Sequence, residues 1–449
     1  MKLTFHGAAG MVTGSNYLLE SGKTKILIDC GLHQGNNVCE KHNFEPFPYK
    51  PQDISAVFVT HAHIDHTGRL PKLYSEGFQG TVYSTPPTKD FAELLLIDSE
   101  HIIKEEAKRF HKKTLYTIED INGLMTHWQG LNYHEVIKVG PFKVSLYNAG
   151  HILGSAIIVV EAEGKRIIFS GDLGNSPSPL IGSTDVLEEA DYCVVESTYG
   201  DRLHEDADKR KEILEDSIED IVKSGGVLMI PAFAMERTQE LLFEINNLVG
   251  AGRIPRVPIY IDSPLAIKLT AVYKKYENYY NLETLQTITR GDDIFNFPGL
   301  FTALTTEESK AINDVPAPKV IIAGSGMSNG GRILHHERRY LSDPKNVMLF
   351  IGYQSYGTLG RRILDGEKKV KIFDEEIEVN CKIVTMGGYS AHADQAQIMN
   401  WLYPMRESLK KIFMVHGEEK SALALAQKVA DELAVKAVVP KVGESYDII

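Results

Sequence analysis

Cysteine is scarce in this sequence of 449 residues, and long apolar runs and an excess of positive charge are missing. The four cysteines, Cys30, Cys39, Cys193 and Cys381, lie far apart without C-x-x-C spacing. That argues against a disulfide framework or a thiolate zinc site and makes buried reduced thiols the expectation. No stretch approaches the roughly 18 apolar residues of a membrane span, and the start, MKLTFHGAAGMVTGS, lacks the apolar core of a signal peptide. A cytoplasmic protein with no membrane partner is expected. A formal net charge of -12 argues against a surface that grips nucleic acid indiscriminately, because phosphate binding draws on accumulated Lys and Arg. One local basic run does exist: Arg332, His335, His336, Arg338 and Arg339, then Arg361, Arg362, Lys368, Lys369 and Lys371. From charge alone it reads as a solvated face.

The hydrophobic content of 43% is enough for a sizeable core, and the length allows two or three domains. Short strand-like runs recur through the first 200 residues, among them YLLE, KILIDC, AVFVT, KVSLYNAG, AIIVVEAEG, RIIFSGD and YCVVES, several parted by glycine turns. They predict stacked β-sheets, with a helix over 88–110 covering one face. After Asp201 the texture alternates: a helix near 205–223, strand VLMIPAF, helix ERTQELLFEINNLV, strand PIYID, helix PLAIKLTAVYKKY, then strands KVIIAG and VMLFIG. Such alternation predicts βαβ units and a parallel sheet. Beyond about 381 the first texture returns. The expected organisation is a first domain built from 1–204 and 382–449, interrupted by an inserted domain over 205–381.

The densest chemistry lies in VFVTHAHIDHTGRLP, where His61, His63, Asp65 and His66 follow a strand end. Imidazole and carboxylate are the donors that zinc accepts, and four of them exceed one ion's needs once substrate and water must also bind. Three further candidates sit at other strand ends: His151 in NAGHILGSA, Asp172 in FSGDLG and His416 in FMVHGE. A carboxylate able to bridge two cations, with imidazoles on each side, would complete a dinuclear site. Two lookalikes are set aside. SGKT at 21–24 lacks the earlier glycine of a phosphate loop and reads as a hairpin; GAAGMVTG lacks dinucleotide spacing and reads as a turn near the metals.

HAHIDH, NAGHILGSA and FSGDLG resemble the second, third and fourth motifs of the metallo-β-lactamase superfamily, and Asp29 in ILIDCG resembles the first. ESTYGDRLH with Glu196, GGYSAHAD with His392 and MVHGE with His416 resemble motifs A, B and C of the β-CASP nucleases, the branch that includes the endonuclease of mRNA 3′-end processing. The resemblance spans nearly the whole chain. It implies a four-layer αββα sandwich with an inserted α/β domain, RNA as substrate, and two zinc ions. His61, His63 and His151 would hold one ion, Asp65, His66 and His416 the other, and Asp172 would bridge them. Water would attack phosphorus, with Asp65 part of the catalytic centre. His392 would be the general acid, and Glu196 would orient its ring.

The turn GSGMSNGG follows a strand and precedes a helix, so Gly324, Ser325, Gly326, Gly330 and Gly331, with Arg332 beside them, are candidates for holding substrate phosphates. His33 in CGLHQG is expected to be no ligand. A histidine at motif C, His416, favours RNA over DNA within the branch. The resemblance admits endonuclease and 5′-to-3′ exonuclease modes and a homodimer; no N-terminal stretch is present that could house a KH-type module. The alternatives are a small-molecule hydrolase of thioester type and a catalytically silent scaffold.

Overall fold

The computed structural model describes residues 1–35, 40–110, 113–204, 209–387 and 390–449. Two compact units emerge: Met1–Leu203 with Ala391–Ile449, and His204–Ser390.

The first unit stacks two sheets of seven strands. One orders Ser445–Asp447, Lys2–Phe5, Tyr17–Ser21, Thr24–Ile28, Ile54–Phe58, Thr81–Ser84 and Trp128–Gly130. The other orders Ala437–Val438, Lys411–Val415, Tyr192–Glu196, Lys165–Phe169, Ala156–Ala162, Phe142–Asn148 and Val136–Val139. Strand alternation puts Leu3, Phe5, Leu19, Ile26, Ile28 and Phe58 of one sheet against Val144, Leu146, Ile158, Val160, Phe169 and Phe413 of the other. The opposite side of the second sheet buries Val159, Ile168, Cys193, Val195 and Met414 beneath helices Gln395–Leu402 and Glu419–Leu433. Each fully buried aliphatic or aromatic side chain contributes about 1.5–3 kcal/mol. The helix predicted over 88–110 runs Pro86–Phe110 and packs on the outer side of the first sheet. This is the αββα layering that the resemblance implied.

SGKT forms the hairpin between Tyr17–Ser21 and Thr24–Ile28, with Ser21 opposite Thr24 and Gly22 at φ 58°. Cys30, Cys193 and Cys381 are buried and free; Cys39 lies outside the described residues. No described helix is long and apolar enough to cross a membrane.

The inserted unit carries a six-stranded sheet in the order Leu300–Thr302, Ile259–Asp262, Lys319–Ala323, Val227–Pro231, Val347–Ile351, Lys382–Met386. Every pairing is parallel. Here the chain departs from the expected boundary at 381/382: Lys382–Met386 pairs with Val347–Ile351, and the first unit resumes at Ala391. KIVTM has the composition of either sheet, and only its neighbours decide which one it joins. The expected start of the insertion, at 205, falls among residues outside the described set.

Candidate metal centre

In the second sheet, Lys165–Phe169, Tyr192–Glu196 and Lys411–Val415 run parallel. Phe142–Asn148 points the same way, because both it and Lys165–Phe169 are antiparallel to Ala156–Ala162. The segments that follow these strands therefore emerge at one edge, and they bear His151, Asp172, Glu196 and His416. From the first sheet, Ile54–Phe58 leads into His61 and His63 and the single turn Ile64–Thr67, which presents Asp65 and His66. Two glycines allow these loops to crowd together. A Cβ on Gly31 would lie 1.5 Å from the Asp65 carbonyl oxygen, and one on Gly174 would lie 1.8 Å from that of Gly150. Asp29 and His416 themselves adopt positive φ, 59° and 47°, a strained region for such residues that clusters at functional sites.

The seven proposed ligands separate into two groups of donor atoms. In the first, His61 Nε2 lies 3.0 Å from His63 Nδ1, which lies 3.3 Å from His151 Nε2. In the second, His66 Nε2 is 3.2 Å from His416 Nε2, which is 3.1 Å from Asp65 Oδ2. Asp172 stands between them. Its Oδ2 is 3.4 Å from His61 Nε2 and 3.7 Å from His151 Nε2, whereas its Oδ1 is 3.4 Å from His66 Nε2 and 3.6 Å from His416 Nδ1. Both oxygens are buried without a hydrogen-bond partner, an arrangement that costs several kcal/mol unless a positive charge compensates it. Zn–N distances of about 2.0–2.1 Å in a tetrahedral shell place neighbouring ligand atoms roughly 3.3 Å apart, close to the spacings within each group. The donor set fits metal ions.

Electrostatics agree. Burial holds His61 and His151 well below the usual imidazole range and lowers His63 to about 4, so all three are neutral lone-pair donors. Burial would raise the Asp172 carboxyl, yet His416, His66, His61 and His392 together hold it well below the usual range. His66 goes the other way. Burial opposes its charge, but Asp172, Asp29 and Asp65 surround it and raise it well above the imidazole range. That surplus of negative charge is what a cation would neutralise.

Each imidazole is aimed by its second nitrogen or its neighbour. His66 Nδ1 lies 2.7 Å from Asp29 Oδ2, His61 Nδ1 lies 3.1 Å from Thr60 Oγ1, His151 Nδ1 lies 3.2 Å from the Ala391 carbonyl, and His416 Nδ1 lies 3.3 Å from Thr198 Oγ1. Asp29 also accepts from the Thr60 backbone N–H and hydroxyl, both at 2.8 Å. Thr60, Thr198 and the Ala391 carbonyl were not legible as site residues: threonines after strands are common, and a carbonyl has no sequence signature. The glycine-rich start does sit near the centre, with the Ala8 carbonyl accepting from His416 N–H at 2.7 Å and Ser15 Oγ 3.4 Å from His66 Nε2. His33 is in neither group; Asn43 clasps its backbone at both N–H and C=O, 2.7 Å each.

Beside the first group, His392 Nδ1 lies 3.1 and 3.2 Å from the two oxygens of Glu196 and 3.8 Å from Asp172 Oδ2. Glu196 is fully buried and accepts from the Leu173 N–H at 2.7 Å. Burial would lower the His392 pKa, but Glu196 and then Asp172 raise it to about 9.

The candidate phosphate turn behaves differently. Arg332 Nη1 donates to Asp262 Oδ1 at 2.7 Å and to the Ala303 carbonyl at 2.8 Å, and Nη2 donates to the Leu304 carbonyl at 2.9 Å. This guanidinium braces the inserted unit, and its expected contact with a substrate phosphate is a proposal. The wider basic run is neutralised as well: Arg338 with Glu375, Arg361 with Asp365, Arg362 with Glu367, Lys369 with Glu376 and Lys371 with Asp374, at 2.6–2.9 Å.

Comparison with known proteins places these features in a family. The metallo-β-lactamase superfamily matches residues 9–232, a Beta-Casp domain matches 238–363, and a Zn-dependent metallo-hydrolase RNA specificity domain matches 376–440. A ribonuclease of Thermus thermophilus is 39% identical over 96% of each chain. An RNase J-like protein of Methanocaldococcus jannaschii is 33% identical over 98% of each. The transcription termination factor FttA of Methanosarcina mazei is 32% identical over 97% of this chain and 70% of its own. A solved structure of a protein of unknown function from Enterococcus faecalis shares the fold, with a TM-score of 0.57 at 13% identity over 99% of both chains. With its paired donor groups and its match along almost the full length of the Thermus and Methanocaldococcus relatives, the chain belongs to the metallo-β-lactamase superfamily, in the β-CASP branch of RNase J- and FttA-like nucleases.

Proposed function

We propose that this protein is a zinc-dependent ribonuclease that hydrolyses RNA phosphodiester bonds in RNA processing or decay, acting as an endonuclease; the resemblance also admits a 5′-to-3′ exonuclease mode. One observation carries the reading: the two orphaned oxygens of Asp172 face different donor groups. His61, His63 and His151 would hold one zinc ion and Asp65, His66 and His416 a second, with Asp172 shared. Bound there, the ions would supply Lewis acidity and bring the pKa of water from about 15.7 to roughly 7.

The protein's own groups supply the rest. Glu196 keeps His392 in one orientation and favours its protonated form, so the ring can give its proton to the departing oxygen. The backbone of Gly324, Ser325, Gly326, Gly330 and Gly331 remains a proposed RNA contact, with Arg332 bracing it. The matched RNA specificity domain and the names of the Thermus and Methanocaldococcus relatives support RNA as substrate. Buried free thiols support a reducing, cytoplasmic setting.

The test is incubation of zinc-loaded protein with end-labelled and internally labelled RNA and DNA. Internal fragments from RNA are expected. Intact RNA alongside efficient turnover of short thioesters would overturn the reading. Sedimentation would show whether the protein forms the homodimer that the resemblance admits.

A further inference from the structure

The inserted unit has an edge of its own whose chemistry the metal centre does not use. Its parallel strands end together at Pro231, Asp262, Ala323 and Ile351. Val227–Pro231 lies between Lys319–Ala323 and Val347–Ile351, and the chain builds outward from it first to one side and later to the other. In open α/β sheets such a switch point, at the carboxyl ends of the strands, is where ligands sit.

Three aromatic side chains stand exposed on the loops of this edge. Phe233 is 43% exposed, Tyr353 61% and Tyr356 94%. The loops that bear them meet at Gly326. A Cβ on Gly326 would come within 2.7 Å of the Phe233 ring, and Gln354, beside Tyr353, donates to the Gly326 carbonyl at 3.0 Å. The loop that bears Tyr356 is tied to the same turn, through Gly360 N–H to the Met327 carbonyl at 3.1 Å and Leu359 N–H to Asn329 Oδ1 at 3.3 Å. The surroundings are open: away from chain neighbours, a Cβ at Gly330, Gly352 or Gly357 would meet nothing within 4 Å.

The arginines of this edge already have acidic partners. Arg332, Arg361 and Arg362 are committed to Asp262, Asp365 and Glu367. Ring faces are what it exposes, and the large hydrophobics exposed on these three loops, among the described residues, are all aromatic. Aromatic anchors serve protein partners too; the matched RNA specificity domain favours RNA here, and a nucleobase offers a flat face that stacks on any aromatic ring.

We propose that Phe233, Tyr353 and Tyr356 form a stacking platform for unpaired RNA bases, with the turn 324–331 as its floor. The proposal rests on the RNA reading above and adds how the chain holds its substrate: by bases, independent of sequence. The test uses zinc-loaded protein and two single-stranded oligoribonucleotides of equal length, with phosphorothioate linkages that resist cleavage, one carrying bases and one abasic.

The wild type is expected to bind the base-bearing strand at least about 10-fold more tightly than the abasic one. Tyr353→Ala and Tyr356→Ala should each weaken binding of the base-bearing strand about 10-fold and leave abasic binding where it was, while the Phe replacements should restore the affinity. Equal affinity of the wild type for both strands would overturn the platform without needing any variant to fold. So would an Ala variant that loses the same factor on both strands, or on neither. Cleavage of ordinary RNA by the wild type, measured in parallel, reports on the nuclease reading separately.

Discussion

Asp29 Oδ2 lies 2.7 Å from Nδ1 of His66, and the same carboxylate accepts the Thr60 N–H and hydroxyl. A motif aspartate that is no ligand thereby sets which ring nitrogen His66 turns toward His416 and Asp172. Asp29→Asn should keep the fold and lower affinity for the ion of the second group about 10- to 100-fold. Zinc titration with a competing chelator measures this; unchanged affinity would remove Asp29 from the centre.

Asp172→Ala deletes the carboxylate that faces both groups. Activity should vanish, and purified protein should carry one zinc or none, read by elemental analysis. A variant that retains two zinc ions would show that Asp172 is not shared between them.

His392→Ala should separate binding from chemistry. Zinc content should match the wild type, while cleavage slows roughly 100-fold or more, as for loss of a general acid. Loss of metal, or wild-type turnover, would contradict its assigned role. Glu196→Gln should fall between the two, because the ring keeps an acceptor and loses the charge that holds its proton.

Glu337 makes a pH prediction in the inserted unit. Burial raises its carboxyl from 4.5 to about 8 against a hydrogen bond with Ser328, and its Oε2 has no partner. A raised pKa means that its favourable contribution is complete below about 4.5 and is lost as pH rises through about 8. At about 1.36 kcal/mol per pKa unit, ionised Glu337 costs on the order of 3–5 kcal/mol. Glu337→Gln should therefore stabilise the protein relative to wild type at pH 9 and change little at pH 4.5, measured by urea unfolding. An equal difference at both pH values would refute it.

Arg332→Ala should act on stability. It leaves the fully buried Asp262 with His336 and Ser309 only, a loss of about 2 kcal/mol given partial exposure of the arginine. The salt dependence of RNA binding should be unchanged, since the guanidinium is already held by Asp262 and the Ala303 and Leu304 carbonyls. A flatter salt slope would return it to the phosphate site.

The sequence by itself determined the chemistry available. Imidazoles and carboxylates at strand ends, in an order that resembles a known family, named all seven ligand candidates together with Glu196 and His392, and the alternation after Asp201 announced a parallel sheet. Residue type and local period survive in one dimension because they depend on neighbours a few positions away. Only the tertiary structure decided which oxygen of Asp172 faces which group, that a backbone carbonyl at Ala391 aims His151, and that KIVTM joins the inserted sheet. It also decided that Arg332 pairs with Asp262 and Arg338 with Glu375. Partners of that kind lie up to hundreds of residues apart along the chain, and what a charge or a ring can bind depends on what already touches it.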